Sequence, residues 1–85
     1  MKLIIFTAPS CPPCKQLKPI LEREIEFRLL DSERIDIHDQ KAFEKHSVTI
    51  VPTVICVDGN GKEIGRFSGG KPASVVSSIF DEWGL

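Results

Sequence analysis

The 85-residue chain has no tyrosine, one tryptophan, one methionine and only three cysteines. An odd, low cysteine count argues against a secreted disulfide scaffold, which uses even and denser sets. Lysine and arginine total 11 against 12 acidic residues, so the net charge is only −1. No basic run or stretch of aromatics interleaved with cations is present, which argues against nucleic acid as a main partner. No apolar stretch approaches the roughly 20 residues of a membrane span, so no membrane association is expected. Lys2 is a lone charge before an apolar run too short for a secretory leader. A cytoplasmic, reducing setting is therefore expected, where a cysteine pair is more often metal-binding or catalytic than structural. Repeats, low-complexity tracts and linkers are also missing, and residues 1–85 are expected to form one domain. Hydrophobic residues at 41% and charged residues at 27% are ordinary globular proportions.

What is present falls into alternating strand and helix patterns. Leu3-Ile4-Ile5-Phe6 is a continuous apolar run bounded by a Pro/Ser cluster, which suits a short strand buried on both faces. Leu17, Ile20, Leu21 and Ile25 follow at helical spacing, with Lys15, Lys18, Glu22, Arg23 and Glu26 between them. Pro19 should kink that helix, because its ring removes an N–H and crowds the preceding turn. Phe27-Arg28-Leu29-Leu30 fits either the helix end or the following connection. Arg34-Ile35-Asp36-Ile37-His38 alternates like a strand. Asp39 to His46 reads as a short helix with Asp39 as N-cap. Thr53–Val57 is a β-branched strand, Asp58-Gly59-Asn60-Gly61 a hairpin turn, and Lys62–Phe67 the partner strand. After Gly69-Gly70, Pro72 suits the first turn of a last helix that carries Val75, Val76, Ile79, Phe80 and Trp83. The order β-α-β-α-β-β-α predicts an α/β fold: a four-stranded mixed sheet flanked by helices on both faces. Its first crossover should be right-handed.

Chemistry concentrates in Thr7-Ala8-Pro9-Ser10-Cys11-Pro12-Pro13-Cys14-Lys15. Pro12 keeps Cys11 out of the α region, as an N-cap requires. Pro12 and Pro13 can then occupy the first helical positions, where a missing N–H costs little. Cys14 follows, its backbone N–H able to reach back to the Cys11 sulfur, and the two residues lie near disulfide spacing. A helix N-terminus favours a thiolate at Cys11, lowering a free thiol pKa of about 8.5 toward neutrality. Lys15 and Lys18 add positive potential. This asymmetry suggests Cys11 as the attacking sulfur and Cys14 as the resolving one. A zinc site would need four ligands, and His38, His46 and Cys56 do not fall at common spacings. An iron–sulfur cluster bridging two subunits stays open as an alternative. A permanent structural disulfide over so short a loop would add little stability.

The whole pattern resembles the thioredoxin family. CPPCK is followed by QLKPIL, which puts Pro19 where the family has its helix-kinking proline. Ile50-Val51-Pro52-Thr53 looks like the family's cis-proline loop, and DGNGKEIGRFSGG like its hairpin and the glycine after it, Gly69. From the residues alone Pro52 fits either a cis bond or a trans proline opening a strand; the resemblance implies cis. It also implies a compact, glutaredoxin-sized thioredoxin-like fold without the family's extra N-terminal strand and helix. The implied activity is reduction of protein disulfides by a Cys11–Cys14 dithiol, in a monomer with no bound cofactor. Thioredoxin reductase or glutathione would be the electron donor. Val51 is implied as a strand-like docking point for substrate, and Ser10, Pro12, Pro13, Pro52 and Gly69 as the surface around the pair, with Ala8 and Pro9 in the same rim.

The sequence also departs from that family. Ser10 and Thr7 stand where thioredoxins usually have tryptophans. Ile5 stands where they have a buried aspartate linked to proton transfer at the resolving cysteine, which leaves the base for Cys14 unassigned. Glutaredoxins are a second resemblance, through size, the Cys-Pro-x-Cys motif and Gly69-Gly70. However, the chain has no tyrosine for the usual Cys-Pro-Tyr-Cys, and Lys71-Pro72 follows the glycines in place of an acidic residue. A non-catalytic module that holds a partner or a metal is the reading from a different functional class. Elsewhere, Cys56 reads as a small buried hydrophobe, the histidines as surface or helix-end residues, and Trp83 as core.

Overall fold

The computed structural model describes all residues from Met1 to Leu85. Its elements are β1 (Lys2–Thr7), α1 (Pro12–Arg28), β2 (Asp31–Asp36), α2 (Gln40–Lys45), β3 (Thr53–Val57), β4 (Glu63–Ser68) and α3 (Ala73–Glu82). This is the β-α-β-α-β-β-α order read from the sequence. The four strands form one sheet in the order β2-β1-β3-β4. β1 pairs parallel to β2 and antiparallel to β3, and β3 pairs antiparallel to β4, so the sheet is mixed.

β1 and β3 are the inner strands, and both faces of each are covered. Alternate residues therefore feed two cores. Leu3, Ile5, Val54 and Cys56 meet Leu17 and Leu21 of α1 and Val76 and Phe80 of α3. Ile4, Phe6, Ile55 and Val57 meet Ile35 of β2, Phe43 of α2 and Val48. That division explains the unbroken apolar run at Leu3–Phe6: no residue of it faces water.

The sequence misplaced the second strand. β2 covers Asp31–Asp36 rather than Arg34–His38, and Ile35 is its single buried residue. Backbone pairing with β1 defines this edge strand, so apolar alternation marks it poorly. β4 starts at Glu63, not Lys62, with a register irregularity at Cys56/Val57. The turn before it is held by Asp58 Oδ1, which accepts the N–H groups of Asn60 and Lys62 at 2.9 Å. Pro72 is the extended N-cap of α3, just outside the helix rather than in its first turn. In β4, Gly65 faces the Trp83 indole so closely that a Cβ there would overlap it. Trp83 thus packs on the sheet beside Phe67 and Phe80.

α1 runs through Pro19 to Arg28. It stops where Leu29 takes a left-handed conformation, φ 55° and ψ 51°. The N–H of Leu30 then bonds the carbonyl of Ile25 at 3.0 Å, a Schellman-type end. Leu29 is 89% exposed, so its side chain contributes little to the core. Arg28 ties this end of α1 to α3. Its Nε donates to Glu24 at 2.7 Å, and its Nη2 reaches the Ser77 carbonyl at 3.2 Å and Asp81 at 2.9 Å. The guanidinium also lies over the Phe80 ring, 5.8 Å from its centroid. The hydrogen bond to Glu24, with a smaller contribution from Asp81, raises the Arg28 pKa against the opposing effect of burial.

Two stability outcomes follow and are checked by urea unfolding. Arg28→Ala should destabilise the fold by about 1–3 kcal/mol, because Glu24 and the Ser77 carbonyl lose a charged donor. An unchanged midpoint would show that the clamp is dispensable. Leu29→Gly should raise stability by about 0.5–1 kcal/mol, since glycine takes the left-handed conformation without a Cβ penalty. A lowered midpoint would show that the leucine side chain contributes more than its exposure indicates.

Candidate active site

The end of β1 and the start of α1 build the site. β1 leaves the sheet at Thr7, and Ala8, Pro9 and Ser10 carry the chain to Cys11. Cys11 is the N-cap, with extended φ −107° and ψ 105°, and Pro12 and Pro13 fill the first two helical positions. The Cys14 N–H donates to Cys11 Sγ at 3.2 Å. The Lys15 N–H donates to the Cys11 carbonyl at 3.1 Å, closing the first helical turn. Cys11 and Cys14 are joined as a disulfide with Cα atoms 5.2 Å apart. Cys11 is half-buried, whereas Cys14 is only 6% exposed.

A second loop, at the entry to the neighbouring strand β3, reaches the pair. The Val51–Pro52 peptide is cis. The Val51 carbonyl oxygen lies 3.9 Å from Cys11 Sγ. Neither the N–H nor the carbonyl of Val51 is taken by another backbone group. Around it the loop is tied down: the Thr53 hydroxyl donates to the Ile50 carbonyl at 2.8 Å, and the Gly69 N–H donates to the Pro52 carbonyl at 2.8 Å. Gly69 has φ +84°, a conformation that favours glycine. Gly70 follows beside Pro13, where an added Cβ would meet the proline ring at 3.6 Å.

Of the residues named from the sequence, Cys11, Cys14, Pro13, Val51, Pro52 and Gly69 therefore converge on one end of the sheet. Ser10 and Pro12 are exposed on the rim. Lys15 is exposed, and Lys18 pairs with Glu22 at 3.9 Å, so its positive charge is shared. Cys56 is fully buried in the core, and burial pushes its thiol pKa up, which keeps it protonated. His38 is exposed beside Asp36, and His46 packs against Phe6, 5.5 Å between rings.

Two residues to which the sequence assigned no site role also reach this end. A groove of about 340 Å³ is lined by Thr7, Pro9, Cys14, Lys18, Arg34 and Asp36, among others. Strand parity explains it. Arg34 pairs with Ile5 and Asp36 with Thr7, so both stand on the face that α1 covers. The signal lay in the β1–β2 register, which the displaced boundary of β2 concealed.

Comparison with known proteins agrees with this geometry. The sequence model of the thioredoxin-like domain family matches residues 1–83. Thioredoxin of Chlamydia caviae is 40% identical over 83 residues, covering 94% of this chain and 79% of the relative. Thioredoxin-1 of Saccharomyces cerevisiae is 30% identical over 82 residues, covering 92% of this chain and 79% of the relative. The structure of thioredoxin 1 from Thermosipho africanus superposes with a TM-score of 0.86 at 30% identity, over 98% of this chain and 93% of that one. With a cysteine pair capping the first helix in the same fold, the chain belongs to the thioredoxin family and is a thiol–disulfide oxidoreductase of the thioredoxin type.

Proposed function

We propose that the protein reduces disulfides in protein substrates, with Cys11 as the attacking sulfur and Cys14 as the resolving one. The observation that carries this reading is the unequal setting of the two sulfurs. Cys11 Sγ sits at the N-terminus of α1, is partly exposed and accepts the Cys14 N–H at 3.2 Å. The partial positive charge of that helix end favours its thiolate. Cys14 is buried one turn further in, out of reach of a bulky protein disulfide.

The reaction balances in two exchanges. The Cys11 thiolate attacks one sulfur of the substrate disulfide, forming a mixed disulfide and releasing the other sulfur as a thiolate. Cys14, as a thiolate, then attacks Cys11 Sγ. The Cys11–Cys14 bond forms, the bond to substrate breaks, and the second substrate thiolate leaves. The substrate gains two electrons and the protein dithiol loses two. No bound cofactor enters these steps, and a thioredoxin reductase or glutathione resets the pair.

Substrate docking uses Val51. Its unpaired N–H and carbonyl suit an extended segment laid beside Cys11 in the manner of an added strand. Ser10, Pro12, Pro13, Pro52 and Gly69 supply the surrounding surface. We assign the protein to the cytoplasm, acting as a monomer; no helix is long and apolar enough to cross a membrane.

Reduction of a protein disulfide, followed by turbidity and by non-reducing gels, tests the roles. Cys11→Ser should drop turnover to the uncatalysed rate. Cys14→Ser should allow one attack and accumulate a mixed disulfide. Full turnover by the Cys11 variant would overturn the assignment.

A further inference from the structure

Resolution requires the Cys14 thiol to lose a proton, yet Cys14 is 6% exposed. Burial favours the neutral thiol, so a group close by must take the proton. β1 offers none: the residue beneath this part of α1 is Ile5, itself buried in the core with Leu17 and Leu21. The groove beside Cys14 offers one carboxylate, Asp36. Its space of about 340 Å³ has room for several waters, each needing about 30 Å³. We propose that Asp36 is the proton relay for Cys14, acting through groove water. This rests on the reading of Cys14 as the resolving cysteine.

The surroundings fit that task. Asp36 pairs with Thr7 across the β1–β2 register, so its side chain and that of Thr7 share the α1 face. Asp36 Oδ1 accepts the His38 backbone N–H at 2.9 Å, which fixes the carboxylate at the end of β2. That bond first, and the His38 ring second, hold the Asp36 carboxyl below its usual pKa. It is therefore an anion at neutral pH, with a free acceptor site for a proton. The His38 ring shares Oδ1 and is 85% exposed, giving the proton an exit to solvent. From α1, Lys15 and Lys18 face the same groove, and from β2 so does Arg34. Lys18 and Arg34 both pair with Glu22, at 3.9 and 3.7 Å. These cations lower the cost of a Cys14 thiolate without accepting its proton.

The step balances. The Cys14 proton passes through water to Asp36 as the Cys14 sulfur attacks Cys11 Sγ. The Cys11–Cys14 bond forms and the substrate thiolate departs, taking a proton from solvent. Asp36 then returns its proton to solvent. In the reverse direction, when the pair is reduced, the proton for Cys14 comes from solvent through the groove water, with Asp36 as its carrier.

The sign of one substitution separates a relay from a simple charge effect. Asp36→Asn keeps an oxygen for the His38 N–H but removes the anion. If Asp36 acted only through its charge, losing it beside Cys14 would stabilise the thiolate and speed resolution. As a relay, its loss slows resolution by about ten- to a hundredfold. Rapid-quench measurement of mixed-disulfide formation and decay reads both steps, alongside Cys14→Ser. We expect formation at the wild-type rate, which also confirms the fold, and slow decay. Below the thiol pKa, decay in Asp36→Asn should fall about tenfold per pH unit with the thiolate fraction, and more shallowly in the wild type. Decay at or above the wild-type rate, with the wild-type pH profile, would overturn the relay while leaving Cys14 as resolving residue. Failure of Cys14→Ser to trap a mixed disulfide would overturn the resolving role and the relay with it.

Discussion

The Cys11 sulfur caps a helix and thereby meets two requirements with one bond. The cap satisfies the Cys14 N–H at 3.2 Å, one of the donors that every helix leaves unpaired at its start. The same bond places a sulfur where the helix carries partial positive charge. Most of the architecture serves to hold that helix end in place. β1 is buried on both faces and delivers the chain to Thr7 in a fixed direction. Leu17 and Leu21 anchor α1 on the sheet, and Arg28 locks its far end to α3. Prolines at the first two positions of α1 cost no backbone bond, because those N–H groups would have no helical partner.

The second constraint is that the site is assembled from sequence-distant pieces at one end of the sheet. Cys11 and Val51 are 40 residues apart, yet Sγ and the carbonyl oxygen lie 3.9 Å from each other. β1 and β3 are antiparallel neighbours, with Phe6 opposite Thr53. The exit of one strand and the entry of the other must therefore meet. Gly69 completes the arrangement by donating to the Pro52 carbonyl, which ties the end of β4 to the same loop. A docking edge beside a reactive sulfur is thus a product of strand order, and no local motif could supply it.

These origins decide what the sequence revealed. Elements with a buried stripe were legible: Leu3–Phe6, the Leu17/Leu21 face, Asp39 as the cap of α2 through its bond to the Ala42 N–H, and Thr53–Val57. The cysteine pair was legible because its chemistry is local, and the Pro52 loop became so through family resemblance. β2 was misplaced because five of its six residues are exposed and only backbone pairing defines it. That shift hid the neighbours of Cys14. Knowing that Thr7 faces Asp36 requires the register, and register follows from how the whole sheet packs.

Ile5 links these levels. As an apolar residue on the inner strand, it packs with Leu17 and Leu21 and strengthens the core directly beneath the reactive end of α1. A carboxyl at that position would be buried without water and expensive to ionise. With Ile5 there, no titratable group lies under Cys14 on β1, and proton traffic has to run sideways toward the sheet edge. The edge strand β2 is well suited to it. Its side chains are largely exposed, so Asp36 and Arg34 keep their charges at small desolvation cost while still lining the groove. In this chain the stability of the core and the acid–base chemistry of the site are separated onto different strands, and substitutions in one need not disturb the other.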